Sequence, residues 1–240
     1  MLKTELSHVQ VYDAKQESKP VDSFEHGARA PQDMAACSLT KNIYIADKNR
    51  ILRYTPRKTV TKWIEIAALT ISVRNGRLLV TTEHKGLYIY GQKGEKIKHV
   101  KLLDCMMPLH AVETTAGGCI IGTKGGLCEY DSHGKALRSF QFCFPTISVD
   151  EYPRHMVLDS DGNLLMAGDT TVCAFATAFE LRSIMAIPFK CKLGRICYFK
   201  EAGIEYITIA DQSGDICMNP DGSYFRSDLV LTYKLIRSAE

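Results

Sequence analysis

Residues 153–187 read PRHMVLDSDGNLLMAGDTTVCAFATAFELRSIMAI. One apolar strand runs into Asp161-Gly162, a pair that tolerates the positive φ of a tight hairpin, and a second runs out of it. TVCAFAT follows as a third short alternating strand, and the more polar FELRSIMAI as a fourth. No convincing 3.6-residue period extends over ten residues here or elsewhere in the chain, so the stretch reads as four antiparallel strands and an α/β reading has little support.

The same unit recurs outward in both directions. HVQVYDA, RILRYTP, GLYIYGQ, GLCEYDS, TVCAFAT and GDICMNP are short alternating strands whose fifth residue is large and apolar: Tyr12, Tyr54, Tyr90, Tyr130, Phe175 and Met218. The interval averages about 41 residues, the length of a four-stranded propeller blade. Five of the six are preceded by a hairpin, beginning at residues 31, 68, 108, 153 and 194, with Asn75-Gly76 and Gly117-Gly118 at two further turns. Each is followed by a polar fourth strand such as KTVTKWIEI or EKIKHVKLL, which suits the outer edge of a blade.

The expected fold is therefore all-β: a β-propeller of four-stranded blades, about six in number. Five would be complete, at residues 31–66, 67–103, 104–143, 150–187 and 190–231. Residues 1–30 would supply the third and fourth strands of a thin or incomplete closing blade, and 232–240 a tail or closing strand.

Composition agrees with one folded domain. The 240 residues are 45% hydrophobic and 24% charged, which excludes disordered, collagen-like and coiled-coil classes. The longest purely apolar run, Val172–Ala176, is far short of the roughly 20 residues that cross a bilayer. The opening MLKTELSHVQVYDA lacks the apolar core of a secretory signal, and no Asn-x-Ser/Thr occurs, so a cytoplasmic location without membrane attachment is expected. Nine cysteines, with no Cys-x-x-Cys, lack the close pairs that structural zinc and redox motifs need. They read as reduced core residues.

The units resemble NHL repeats: a Pro, an apolar strand, an acidic or Gly turn, an apolar strand ending near Asp, then a strand with an Arg-Ile-type pair. PQDMAACSLTKNIYIADKNRILRY (31–54) matches best, followed by 153–169 and the region from Pro108 to Phe140. The resemblance covers roughly residues 31–226 and is weakest in the second and fifth units. It is to the C-terminal repeat domain of tripartite-motif NHL proteins, where the propeller selects a protein or RNA partner for an attached ubiquitin ligase. This chain has no Cys/His-rich zinc module and no coiled coil, so the resemblance implies partner binding and not ligase activity.

Two groups of residues are candidates for function. The first is the start of each blade's first strand, expected to line a central channel: Asp33, Thr70, His110, His155 and Arg195. Asp33, His110 and His155 are types that together hold a divalent metal. Related six-bladed propellers, alike in architecture only, include metal-dependent lactonases and a peptide-amidating lyase with a metal in this place. A metal-assisted hydrolase or lyase is thus one reading, with one divalent metal in the channel; polar solvation of a wet channel is the plainer one.

The second group is basic. Net charge is only +3, yet residues 41–62 hold seven bases against Asp47 alone. Arg50, Arg53, Arg57, Lys58 and Lys62, joined by Lys96 and Lys98 of the next unit, would form a positive face beside Tyr54 and Trp63. Such a face attracts an acidic protein surface or RNA phosphates, and aromatic neighbours stack exposed bases. Charged outer strands also simply discourage edge-to-edge aggregation.

The remaining motif matches fail. GGCIIGTK (117–124) lacks the Gly-Lys-Ser/Thr order and the helix of a phosphate loop. DSDGN (159–163) has Thr170 where a calcium loop needs Glu, and reads as a turn. No Gly-x-Ser-x-Gly or His-Glu-x-x-His occurs. The expectation is a non-catalytic NHL-type propeller that binds a protein partner, with RNA second, no DNA, no catalytic residues and no cofactor.

Overall fold

In the computed structural model, the described residues lie within 2–234, except 6–7, 14–15, 26, 29–30, 84–85, 103–106, 143–152, 169–170, 177–178, 187–192, 202–203, 212–215, 219–223 and 227–229; side chains are described between residues 23 and 207. All regular elements among them are strands. The chain divides into two compact units, residues 1–102 and 103–240. Among the described residues no helix is long and apolar enough to cross a membrane.

The first unit opens with a three-stranded meander, β1 (Leu2–Glu5), β2 (His8–Asp13) and β3 (Gln16–Glu25). Two four-stranded antiparallel meanders follow. One is β4 (Pro31–Ala36), β5 (Ile43–Asp47), β6 (Arg50–Tyr54) and β7 (Val60–Ile64); the other is β8 (Thr70–Arg74), β9 (Arg77–Thr82), β10 (Gly86–Tyr90) and β11 (Lys96–Lys101). Their inner strands are apolar almost without interruption because both faces are covered. On β5, Tyr44 and Ala46 pack with Ile71, Leu78, Val80 and Tyr90 of the next sheet, while Ile45 packs with Leu52, Tyr54 and Phe24 of β3. The outer strand β7 is exposed at Val60, Thr61 and Lys62.

The second unit repeats the design in β12 (Pro108–Glu113), β13 (Cys119–Thr123), β14 (Gly126–Tyr130) and β15 (Ala136–Gln141), then β16 (His155–Leu158), β17 (Leu164–Ala167), β18 (Thr171–Phe175) and β19 (Leu181–Ala186). Val112, Ile120 and Leu127 of the former meet Met156, Leu164, Met166, Cys173 and Phe175 of the latter. Gly122 lets the sheets close up, since a Cβ there would lie 2.9 Å from the Pro153 ring.

The anchor residues behave as their recurrence implies: Tyr54, Tyr90, Tyr130 and Phe175 are buried. Three of the four, Tyr90, Tyr130 and Phe175, adjoin a bulge in the pairing with the outer strand. The expected tight hairpin at Asn75-Gly76 has φ of 51° and 74°, the mirror-image turn that matches strand twist.

The last unit departs from the expected order. β20 (Leu193–Glu201) and β21 (Ile204–Asp211) form the hairpin, but the strand beside β21 is β24 (Val230–Lys234) and not GDICM. β22 (Ile216–Met218) and β23 (Tyr224–Arg226) pair separately. β24 pairs along five residues of β21, whereas β22 pairs along three residues of β23. The start of the tail expected to close the N-terminal sheet is therefore paired with β21; residues 235–240 lie outside the described residues. Of the cysteines, Cys37, Cys119, Cys128 and Cys173 are buried and in no disulfide, Cys197 is exposed, contrary to the core expectation, and Cys105, Cys143 and Cys191 lie outside the described residues.

Candidate functional site

A repeated bulge sets the first-strand positions. Pairing skips one residue between Pro31 and Asp33, between Pro108 and His110, and between Leu193 and Arg195. The same offset occurs before Thr70 and His155, where Leu69 and Arg154 donate to the Thr81 and Ala167 carbonyls that oppose them. Such bulges re-aim the side chain that follows.

Asp33 and Thr70 belong to the first unit. Asp33 is 3% exposed, and its carboxylate is engaged on both sides: Oδ1 accepts Met34 N–H at 2.5 Å and Oδ2 accepts Ile71 N–H at 2.8 Å. It therefore ties β4 to β8. Thr70 Oγ1 lies 2.7 Å from Thr81 Oγ1.

His110, His155 and Arg195 belong to the second unit, which brings its two histidines together. Their ring centroids are 4.0 Å apart at 43°. His110 is 0% exposed and, among the described residues, neither ring nitrogen has a hydrogen-bond partner. Nδ1 of the half-buried His155 has none either, while its ring bonds the main chain of Ile196. Burial, and then the neighbouring His155, hold His110 well below the ordinary 6.5. Burial lowers His155 to about 4 against the opposing effect of the Ile196 bond. Both imidazoles are neutral near pH 7, with lone pairs to donate. Burial also lowers Arg195 to about 10.

The basic residues lie in the first unit and separate into two kinds. Arg50 is structural: Nε bonds Asp47 Oδ2 at 3.0 Å and an Nη reaches the Gly27 carbonyl at 3.2 Å. Lys62 is ion-paired with Glu65 on the exposed outer strand. Arg53 is half-buried, its guanidinium 6.0 Å from the Trp63 ring centroid. Arg57 and Lys58 are exposed on the β6–β7 turn. The neighbouring β10–β11 turn packs on Trp63, where a Cβ at Gly94 would be 3.2 Å from Nε1, and leads into exposed Lys96 and half-buried Lys98. Trp63 thus forms a seam with Arg53 and the β10–β11 turn, and the β6–β7 turn begins the strand that carries it.

Sequence reading missed the Asp47–Arg50 pair, although Asp-x-x-Arg across a two-residue turn was its signal. The main-chain groups of Ile71 and Ile196 left no signal, since any residue supplies them. Asp159 acts in a turn as expected, its Oδ1 accepting Asp161 and Asn163 N–H at 2.9 and 2.8 Å.

No family model matches the chain, and no curated protein does. Solved structures do. A mercury-soaked complex of BBS1N with ARL6DN aligns at a TM-score of 0.59 and 16% identity, over 88% of this chain and 70% of that one. Streptogramin B lyase aligns at 0.56 and 13%, over 87% and 84%. A protein of unknown function from Bacteroides caccae aligns at 0.66 and 12%, over 92% and 89%. At these identities the likeness is one of fold. Together with the repeated four-stranded meanders, it makes the chain an all-β protein of the β-propeller class.

Proposed function

We propose that this chain is a non-catalytic NHL-type propeller that serves, in the cytoplasm, as a binding scaffold for a protein partner with an acidic surface. The observation that carries the reading is the seam of the first unit. Arg53 stands over Trp63, Arg57 and Lys58 are exposed on one adjoining turn, and Lys96 follows the other. Positive charge beside an aromatic ring gives both steering and a contact surface. That BBS1N, of similar fold, was crystallised with ARL6DN supports a protein as the partner class.

The test uses a fluorescein-labelled polyglutamate peptide and a single-stranded oligo(U) RNA as probes of the two acidic partner classes. Arg57→Glu with Lys58→Asn changes exposed charge while keeping a residue that tolerates the positive φ at 58. Peptide affinity is expected to fall at least about fivefold in the variant, and more at low salt. Equal affinity in variant and parent removes the basic seam from the model. Tight RNA binding with none to the peptide reassigns the partner to RNA.

A further inference from the structure

We propose that His110 and His155 form a binding site for a divalent transition-metal ion, zinc being one that imidazole suits. This goes beyond the scaffold reading and does not depend on it. Buried polar atoms in folded proteins are nearly always paired, and leaving one orphaned is destabilising. Among the described residues, His110 is fully buried with both ring nitrogens unpartnered, and Nδ1 of His155 is buried and unpartnered beside it.

The equivalent positions in other sheets are bonded. Asp33 reaches the main chain of the next first strand at Ile71, and His155 does so at Ile196. His110 holds the same place on β12, yet its nitrogens make no such bond, and its ring lies against His155. A ring nitrogen of each histidine lies within 4.8 Å of one of the other. Two bonds of about 2.0–2.1 Å to one ion bring such nitrogens to roughly 3.4 Å, within a small ring rotation. Neutral imidazole selects zinc, copper or nickel over magnesium and calcium, which prefer oxygen. Two protein nitrogens leave coordination positions for water, so the site exchanges its ion more readily than a closed four-ligand site.

The experiment dialyses the chelator-stripped full chain against zinc and counts bound metal by elemental mass spectrometry. His110→Phe/His155→Phe preserves an aromatic pair of similar volume; His99→Ala/His133→Ala, at two exposed histidines, is the control. The expected result is loss of about one zinc per chain in the Phe variant and none in the control, with excess magnesium or calcium displacing nothing. Cobalt in place of zinc is expected to give visible absorption that the Phe variant lacks. Should that variant misfold by circular dichroism, His155→Gln takes its place with the same readouts. Equal zinc in parent and variant overturns the proposal, as does a parent that binds none, which would leave water as the partner of these nitrogens. His110→Phe/His155→Phe and His155→Gln leave the basic seam untouched, so polyglutamate binding survives if only the metal proposal fails.

Discussion

Replacing Asp33 by Ala should loosen the first unit by a predictable amount. The carboxylate accepts two main-chain N–H groups, one from Met34 and one from Ile71, 38 positions away on β8. Hydrogen bonds to a charged acceptor contribute about 1.5–3 kcal/mol each. Met34 is half-buried and its N–H has water as an alternative, whereas Ile71 is 1% exposed and its N–H is stranded. The expected loss is about 2–4 kcal/mol. Asn keeps one oxygen acceptor and should cost about half as much. Trp63, the single tryptophan, packs with the core between these two sheets, so its emission reports on this seam. With a urea slope of about 2 kcal/mol/M, the Ala midpoint should fall by roughly 1–2 M and the Asn midpoint by less. An Ala midpoint indistinguishable from the parent, or an Asn variant as damaged as Ala, would refute the assignment of Asp33 as the tie between β4 and β8.

Three other perturbations follow from particular geometry. Gly122→Ala sets a methyl against the Pro153 ring and Met156 Cε, 2.9 and 3.2 Å away, and should cost about 1–3 kcal/mol in thermal melts; an unchanged Tm would show the sheets can part freely. Lys58→Gly relieves a φ of 59° and should stabilise by about 0.5–1 kcal/mol, whereas Phe179→Gly relieves the same strain but removes a 4%-exposed ring and should cost about 3–5 kcal/mol. Opposite signs in parallel urea titrations are the required result. The Lys135 N–H, with help from that of His133, holds the Asp131 carboxyl below its ordinary 3.8. A depressed carboxyl pKa stabilises the turn above the unfolded value, and that contribution is lost as pH falls through the folded value. Carboxyl carbon NMR should give a midpoint below 3.8, and a midpoint at or above it would contradict the turn geometry.

Much of the fold was legible because the constraint is periodic. Every inner strand is covered on both faces, so apolar runs mark β5, β9, β13 and β17, and one large anchor per unit marks the third strand. The turns after the anchors were less legible. Thr55–Thr59, Gly91–Glu95, Asp131–Lys135 and Ala176–Glu180 make the same pair of main-chain hydrogen bonds. Their left-handed position holds Lys58, Gly94, Gly134 and Phe179, so no residue pattern announces the repeat. Strand order in the last unit was illegible for another reason. Both GDICM and VLTYK are short strands, and nothing in their residues tells which of them lies beside β21.

The first-strand positions were legible in place but not in chemistry. A Pro two residues earlier marks Asp33, His110 and His155, and the bulge fixes where each side chain begins. What happens next depends on the side chain and its neighbour. An aspartate has two acceptors and no donor, so it takes up the N–H groups of Met34 and Ile71, and the position becomes structural. A neutral histidine has one donor and one acceptor on opposite edges of a ring, and His155 uses its ring on Ile196. His110 meets the ring of His155, and both its nitrogens remain unspent in a site without exposure. The same backbone device therefore produces a clasp where the residue can close on the main chain, and an open ligand where it cannot. That difference makes His110, rather than the better-bonded Asp33, the residue at which bound chemistry is to be sought.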